Sequence, residues 1–280
     1  MLYVMLSLIL LGMFTVGPGR SSAQDLAGYV DPMVGTRNMG HTYPGATVPF
    51  GMVQLSPDTR QLMMFDEQGR YVGEVYRYCS GYQYEDSTIT GFSHTHFSGT
   101  GHSDLGDISL MPVNGQVDLR DPTTWTATFN HENESASPGS YQVKLDQDIM
   151  VDLTATTRCG LHRYQFAGSE TARLVLDLTA NIYDYDEKNV WTFLRVENDT
   201  LITGWRMTSG WARTRTVYFA LAFDRPIAGY RSVRLDATPY RGVYRRFDQE
   251  HDFPEVAGRQ VRLCFEFASM RGRTLQAKVG

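Results

Sequence analysis

Alternation of apolar and polar side chains dominates the chain from Tyr141 to its end. Successive side chains of a strand point to opposite faces, so alternation marks a strand with one face on a core. Four such segments have apolar positions at Tyr141, Val143 and Leu145; Leu174, Leu176 and Leu178; Val217, Phe219, Leu221 and Phe223; and Val261, Leu263, Phe265 and Phe267. Turn-forming residues occupy 137–139, 167–169 and 198–199 between them. No helical period is sustained, so the pattern predicts an all-β sandwich of two antiparallel sheets.

The segment from Tyr29 to Asn114 has few clean alternations and is rich in Gly, Pro, His, Ser and Thr. Long ordered loops are uncommon in compact domains unless they carry function. The densest polar stretch covers residues 91–107, where three His and two Asp lie within fourteen residues. We therefore expect the function of the chain to reside in this region.

This polar stretch supports three interpretations. On a strand, His94 and His96 would share a face, and His102 or Asp104 could complete a metal site. Alternatively, a Gly-rich loop satisfies its own backbone with its polar side chains. Neutral donors and acceptors beside glycines also suit the hydroxyls of a sugar. Asp104 and Asp107 could be imagined as a glycosidase pair, but such closely spaced carboxylates are more typical of turns.

Aromatic residues form a second candidate feature. Tyrosines alternate in pairs around Ser80-Gly81, which indicates either strand packing or a stacking wall for a sugar ring. They are Tyr76, Tyr78, Tyr82 and Tyr84. Trp205 and Trp211 are expected in later strands, in the core or on a sheet surface.

The N-terminus has the pattern of a targeting segment. Met1 to Phe14 is nearly all apolar, a Gly-Pro-Gly break follows at 17–19, and small residues precede Gln24. The apolar run is too short to span a bilayer. We predict a signal peptide over residues 1–23, one domain over 24–280, no membrane span in the mature chain, and a periplasmic or secreted location.

Composition narrows the function further. Hydrophobic residues make up 42% of the 280 positions and charged residues 20%, which permits a packed core. The net charge is −5 and Lys and Arg form no dense block, which argues against a nucleic-acid partner. The three cysteines are too few and too widely spaced for a disulfide framework. We expect Cys159 and Cys264 to be buried apolar residues, and one disulfide among Cys79, Cys159 and Cys264 stays open.

Several segments, in order along the chain, resemble glycoside hydrolase family 92. The match covers about residues 29–280, and its second block is long and unusual. The segments are Tyr29-Val30-Asp31-Pro32-Met33-Val34-Gly35-Thr36 with residues 40–59; Cys79-Ser80-Gly81-Tyr82-Gln83-Tyr84 with residues 91–101; Phe129-Asn130-His131-Glu132-Asn133-Glu134 with residues 138–141; residues 153–158; and Gly204-Trp205-Arg206. One departure is Ser140, where the family usually has a second Tyr.

This resemblance implies a large N-terminal β-sandwich of the super-sandwich, galactose-mutarotase-like type. Family members are secreted, calcium-dependent, inverting exo-α-mannosidases that act on mannose-containing glycans, which includes N-glycan degradation. Their catalytic acid and base and their calcium ligands belong to a C-terminal (α/α)6 barrel, and no match to those motifs occurs in this chain. The resemblance thus implies a sugar-contacting domain without catalysis of its own, and calcium only in the intact parent enzyme.

By the same resemblance, two loops are expected to face the mannoside, one around Met39 and one from Ser93 to Asp104. The candidate substrate-binding residues are Met39, Gly40, His41, Tyr82, Ser93, His94, His96, Thr100, Gly101 and Asp104. The chain stops soon after an alternating strand begins at Leu275, so we expect a truncation, either in the gene or in the expressed protein. Two alternatives stay open: a stand-alone carbohydrate-binding β-sandwich module, and a metal enzyme built on His94, His96 and His102.

Overall fold

The computed structural model describes residues 26–168, 171–236 and 252–280. Within these ranges the chain forms strands and three short 3₁₀ helices, at Ala27–Tyr29, Gly73–Tyr78 and Pro122–Thr124. No helix of the described ranges is long and apolar enough to cross a membrane. The all-β prediction is confirmed. The proposed signal peptide, residues 1–23, lies outside the described residues.

The strands of the described part are short near the N-terminus and longer after residue 126. In chain order they are β1 (Ala46–Thr47), β2 (Gln54–Asp58), β3 (Leu62–Met63), β4 (Thr88–Ile89), β5 (Gly91–Ser93), β6 (Ser109–Val113), β7 (Ala127–Ser137), β8 (Ser140–Leu145), β9 (Ile149–Ala155), β10 (Gly160–Phe166), β11 (Thr171–Asp177), β12 (Tyr183–Asp184), β13 (Asn189–Asn198), β14 (Leu201–Thr208), β15 (Arg215–Phe223), β16 (Gly229–Arg234), β17 (Glu255–Gly258), β18 (Val261–Ala268) and β19 (Arg273–Val279).

Two large sheets contain nearly all of these strands. The seven-stranded sheet has the order β1-β2-β5-β6-β11-β18-β16, and the ten-stranded sheet has the order β17-β13-β14-β15-β19-β10-β9-β8-β7-β4. Neighbouring strands in both sheets are antiparallel. The short strands β12 and β3 form a separate parallel pair.

The two sheets pack face to face around one apolar core. Phe223 of β15 contacts Phe265 and Phe267 of β18, with ring centroids 5.5 and 5.0 Å apart in edge-to-face geometry. Burying an aromatic side chain of this size stabilises the fold by roughly 1.5–3 kcal/mol. The strict alternation of buried and exposed residues in β8 reflects this one-sided burial, so the predicted two-sheet sandwich is confirmed.

The central strands β11 and β18 depart from simple alternation, because both of their faces are largely buried. Arg262 lies on the predicted polar face of β18, where its Nε donates to Asp177 Oδ2 at 3.1 Å and its guanidinium lies over the Trp125 ring. The segment around Leu119 and Trp125 thus covers this face. Cys264, which the pattern placed on the same face, is fully buried there.

The structure also decides two points that the sequence left open, the backbone of the tyrosine segment and the disulfide. The tyrosines from Tyr76 to Tyr84 do not lie on a strand, because residues 73–78 form a 3₁₀ helix and a turn follows. All three cysteines are free thiols, so the open disulfide does not form. Cys264 is buried as expected, whereas Cys159 is only partly buried.

Candidate functional site

Five loop segments contact one another, and we call them the loop cluster. They comprise residues 39–43, 73–81, 98–106, 183–188 and 209–214. The Gly99 amide donates to the His41 carbonyl at 2.6 Å, which joins the first and third segments. The His102 and Trp211 rings meet edge to face at 4.4 Å between centroids, which joins the third and fifth. These contacts bring the two loops predicted to face a ligand into one assembly.

The open surface of the loop cluster is apolar and aromatic. Trp211 is 73% exposed, Met39 55% and Tyr76 44%, while the predicted residues Thr100 and Gly101 are also exposed. Large apolar side chains held in the open on an ordered loop mark a surface that contacts something else. Aromatic faces of this kind stack on the C–H face of a pyranose ring, and the loop hydroxyl and amides can bind its hydroxyls.

Two predicted glycines allow the loops to approach closely. A Cβ on Gly40 would lie 2.1 Å from the Gly35 carbonyl oxygen, and one on Gly101 would lie 2.4 Å from Tyr76 Oη. Real Cβ atoms do not come so near another heavy atom, so any side chain at either position must displace its neighbour. Gly40 is therefore required by the backbone packing of Gly35, whereas a side chain at Gly101 would displace only the partly exposed Tyr76 ring.

His41 lies beneath the exposed surface rather than on it. Its side chain is buried, its φ is 56°, and its ring meets Tyr76 edge to face at 4.8 Å. Its Nε2 has no hydrogen-bond partner among the described residues. The His41 ring thus packs against the Tyr76 ring from the buried side, and the His41 carbonyl accepts from the Gly99 amide.

The predicted stretch from Ser93 to Asp104 divides into a buried part and an exposed part. Ser93 and His96 are buried, and Ser93 Oγ lies 3.1 Å from His96 Nε2. The same nitrogen is 3.0 Å from Asp58 Oδ1, and His96 Nδ1 donates to the Gln54 carbonyl at 2.8 Å. The polar atoms of both side chains are therefore engaged inside the sandwich.

His94 begins a buried hydrogen-bonded chain that connects the two sheets. Its Nδ1 lies 2.6 Å from the Ile108 carbonyl, and its Nε2 lies 3.0 Å from His162 Nε2. His162 Nδ1 in turn lies 2.7 Å from Tyr164 Oη. A carbonyl only accepts, so His94 Nδ1 carries the hydrogen, His162 Nε2 donates to His94, and Tyr164 donates to His162. Both imidazoles are neutral in this arrangement.

Burial is the main reason for this neutrality. It lowers the pKa of His94 to about 4, against a smaller opposing effect of the Ile108 carbonyl. It also holds the pKa of His162 well below its ordinary value.

The metal-site interpretation gains no support from this geometry. The ring nitrogens of His94 and His96 are engaged in hydrogen bonds. His102 faces Trp211 instead. Among the residues that the structure describes, no three His, Cys, Asp or Glu side chains come together as a set of metal ligands.

Tyr82 is buried at the centre of another polar cluster. Its hydroxyl donates to Glu134 at 2.9 Å, and Tyr141 donates to the same carboxylate at 2.6 Å. His131 Nδ1 lies 2.7 Å from Glu134 Oε2, and its ring stacks on Tyr84 with centroids 4.0 Å apart. The Tyr82 hydroxyl is thus bonded to a buried carboxylate, and the predicted substrate contact of Tyr82 stays a prediction.

Asp104 connects three segments of the loop cluster. Its carboxylate accepts from the amides of Leu105 and Trp211 at 2.9 and 3.1 Å. Lys188 Nζ lies 3.5 Å from Asp104 Oδ1 and donates to the Tyr183 carbonyl at 2.8 Å. Burial lowers the pKa of Lys188 to about 8, while the charge of Asp104 opposes that decrease. The buried pair fixes the position of the exposed Trp211.

Asp107 holds a separate group of charges. Its carboxylate lies 3.3 Å from Arg206 Nη1 and accepts from Arg215 Nη1 at 2.6 Å and from Thr95 at 2.6 Å. Burial alone would raise the pKa of Asp107, but the charges of the two arginines together with the hydrogen bonds from Thr95 and Arg215 hold it below its ordinary value. Asp104 and Asp107 are therefore the centres of buried ion pairs, in addition to the local bond that the Leu105 amide donates to Asp104.

Sequence reasoning missed two important residues of the loop cluster. Trp211 lies in the turn between β14 and β15 and not in a strand. Its position after Ser209-Gly210, between two alternating segments, was a usable signal for an exposed aromatic residue. Lys188 had no signal, because burial of a lysine depends on a partner distant in sequence.

Comparison with known protein families decides the assignment. Residues 29–280 match the glycosyl hydrolase family 92 N-terminal domain. The chain belongs to this family. Its resemblance to family 92 in the five sequence segments is thereby confirmed.

The relatives of this family 92 domain are longer proteins. A family 92 α-mannosidase from Bacteroides thetaiotaomicron in complex with mannoimidazole shares 32% identity and a TM-score of 0.75, over 91% of this chain and 32% of that one. A second family 92 glycosyl hydrolase shares 26% identity and a TM-score of 0.71, over 90% and 32%. An uncharacterized secreted glycosidase from Arthroderma benhamiae is 28% identical over 207 residues, 70% of this chain and 24% of that protein. The chain spans between a quarter and a third of the length of these relatives.

Proposed function

We propose that this chain is the sugar-contacting N-terminal domain of a secreted, calcium-dependent exo-α-mannosidase that acts on mannose-containing glycans. The observation that carries this proposal is the loop cluster, which presents Trp211, Tyr76 and Met39 on a frame of buried ion pairs. A rigid aromatic surface beside exposed hydroxyl and amide groups is the kind of site that binds a sugar ring. The family and the mannoimidazole bound to a structural relative support mannose as that sugar.

The chain on its own is proposed to be non-catalytic. An inverting glycosidase needs a general acid and a general base about 6.5–9.5 Å apart with a water between them. The pair singled out by its spacing, Asp104 in the loop cluster and Asp107 next to it, is buried and bonded to cations. We assign the acid and base to an (α/α)6 barrel domain outside this chain, and the role of the chain is to bind and orient the sugar.

Calcium is assigned to the same outer domain. A calcium ion takes about six to eight oxygen ligands, most of them carboxylates, carbonyls or waters. The described residues of this chain bring no group of three carboxylate, His or Cys side chains together. We propose, from the family alone, that the calcium of the whole enzyme is held by oxygen ligands of that outer domain.

Secretion or export to the periplasm is proposed from the apolar N-terminus, with removal of residues 1–23. The relative from Arthroderma benhamiae is described as a secreted glycosidase, which supports this location. Mass spectrometry of the protein recovered from the medium or periplasm tests it. A mature protein that begins near Gln24 is expected, and recovery of uncleaved protein from the cytoplasm contradicts it.

The test of function combines a turnover assay with a titration. The purified chain, with calcium present, is expected to release no product from an aryl α-mannoside. Mannose at millimolar concentration should change the NMR signals of the loop cluster, and Trp211→Ala should abolish this change. Trp191→Ala is the matched control, because Trp191 is an exposed tryptophan outside the loop cluster. Turnover above a purified blank contradicts the non-catalytic role, and an unchanged spectrum contradicts sugar contact.

A stand-alone carbohydrate-binding module is the second candidate, and the exposed aromatic residues favour it equally. The two candidates predict different gene sequences after codon 280. The genomic sequence downstream of codon 280 should encode a barrel-like domain, in the same frame or an adjacent one. A downstream region without such a domain favours the stand-alone module.

A further inference from the structure

An open cleft of roughly 640 Å³ lies beside the loop cluster. One wall is the hairpin from β3 to Tyr71, which is closed by a bridge between Phe65 and Tyr71. The other wall is the segment that begins with β12, which pairs with β3. The lining residues are Met63, Phe65, Asp66, Glu67, Gly69, Tyr185 and Asp186.

The walls of the cleft carry exposed apolar side chains and are held in place. Met63 and Phe65 are half or nearly half exposed, although a methionine and a phenylalanine gain free energy by leaving water. The Tyr185 hydroxyl lies 3.1 Å from Ser209 Oγ, and its ring stacks on Tyr183 with centroids 6.1 Å apart. The Met64 amide donates to the Asp184 carbonyl at 2.6 Å, which ties one wall to the other. The cleft is therefore formed before any ligand arrives.

The acceptors of the cleft fall into two groups. The carboxylate of Asp66 already accepts three hydrogen bonds, from the amides of Gln68 and Arg70 and from Arg70 Nε. Glu67 and Asp186 are exposed, and no hydrogen bond or ion pair reaches either carboxylate from the described residues. Two free carboxylates next to an exposed aromatic ring suit a ligand that has hydroxyl donors on its edge and an apolar face. A neutral hexose has both features.

The cleft and the loop cluster share a structural element. Asp186 lies two residues before Lys188, whose Nζ meets Asp104 at 3.5 Å. Tyr185 bonds to Ser209, two residues before the exposed Trp211. The cleft and the loop cluster are thus connected through Tyr185, Ser209 and Trp211, so a ligand in the cleft lies next to a ligand on the loop cluster.

We propose that this cleft is a second carbohydrate subsite, which holds a neutral hexose ring adjacent to the ring bound by the loop cluster. The proposal rests on the proposed function, because it assigns the neighbouring residue of the same glycan. Phe65 and Tyr185 contact the apolar face of the ring, and Glu67 and Asp186 accept from its hydroxyls. The cleft thereby selects a glycan of at least two residues over a single sugar.

The test compares methyl α-mannoside with an α-linked mannobiose by NMR titration of the whole chain. The disaccharide is expected to bind about tenfold more tightly, which corresponds to one added ring contact. Phe65→Ala and Glu67→Gln should each remove most of this gain and leave the affinity for the monosaccharide unchanged, because both residues line the cleft outside the loop cluster. Tyr218→Ala and Glu132→Gln are matched controls, because both residues are exposed and neither lines the cleft or belongs to the loop cluster.

Each outcome of this comparison decides one of the two proposals. If methyl α-mannoside binds and mannobiose gains nothing, or if its gain survives both cleft variants, the second subsite is wrong while the proposed function stands. If neither sugar binds, both are wrong. Tetramethylammonium is the remaining probe, because two carboxylates beside an aromatic ring also suit a cation. Binding of that ion, lost in Phe65→Ala without any gain for mannobiose, identifies an amine site and overturns the sugar assignment.

Discussion

The buried pair of His94 and His162 makes stability depend on pH at a single point in the core. Burial lowers the pKa of His94 to about 4, and holds that of His162 well below its ordinary value. The folded-state values lie below the unfolded value of about 6.5, so the unfolded chain takes up protons first as the pH falls. The stabilisation is complete above about pH 6.5 and is lost as the pH falls toward 4.

We therefore expect the free energy of unfolding to decrease by roughly 2–4 kcal/mol between pH 6.5 and pH 4, since one pKa unit is worth about 1.4 kcal/mol. Urea denaturation at several pH values measures this decrease. His162→Gln should be less stable at pH 7 and should show a flatter pH profile. His131→Gln should keep the pH slope of the wild type, because His131 is a partly buried histidine outside the hydrogen-bonded series of His94, His162 and Tyr164. An equal slope in the wild type and His162→Gln would contradict the assignment.

Asp107 provides a second residue-scale prediction, because it is the shared partner of two arginines. Asp107→Asn leaves the fully buried Arg206 with an uncompensated charge, which costs about 3–5 kcal/mol when a buried pair is broken. Glu74→Gln breaks the exposed pair with Arg60 and should cost no more than about 1 kcal/mol. Chemical denaturation compares the two. Similar decreases in the free energy of unfolding for both variants would contradict the larger cost expected for breaking the buried pair.

At the scale of elements, the alternating segments were predictable because one face of each strand meets the core. β8, β15 and β18 lie where the pattern placed them. The strand interpretation of the tyrosine pairs was wrong, because residues 73–78 form a 3₁₀ helix with about three residues per turn. Their spacing alone does not distinguish the two.

The partners of the buried charges were not predictable from local sequence. Asp107 bonds to Arg215, which is 108 positions later in the chain, and only the position of β15 brings the two together. Lys188 and Asp104 meet in the same way. Local composition predicted that the stretch from Ser93 to Asp104 was important, but it did not predict that Ser93, His94 and His96 face inward.

The close approach of loop segments leads to a prediction at this scale. Gly40→Ala must push its Cβ away from the Gly35 carbonyl, which would otherwise lie 2.1 Å from it, at a cost of roughly 1–3 kcal/mol. A domain of this size loses about 2–4 °C of Tm for each kcal/mol. Gly115→Ala is the control, because a Cβ there meets open space. Thermal unfolding should separate the two variants, and a Gly40→Ala protein that melts with the wild type contradicts the packing.

At the scale of the whole molecule, the outer face of the ten-stranded sheet carries an aromatic row. Phe193, Trp205 and Tyr218 lie directly opposite one another on β13, β14 and β15. Their chain neighbours Leu194, Arg206 and Phe219 are buried, so the row faces away from the core. Tyr218 is 74% exposed, and Trp191 extends the patch. A contiguous apolar patch of this kind usually marks a surface that another protein surface covers.

This row predicts that the purified chain associates with copies of itself, because its exposed aromatic rings gain free energy by leaving water. Burial of the patch between two copies removes apolar area from water, so the mean mass by light scattering should rise with protein concentration. Tyr218→Ser should reduce the association by interrupting the row at its most exposed ring. Tyr71→Ser removes an exposed tyrosine elsewhere and should leave the association unchanged. A monomer at every concentration, or equal effects of the two substitutions, would show that the row is not an association surface.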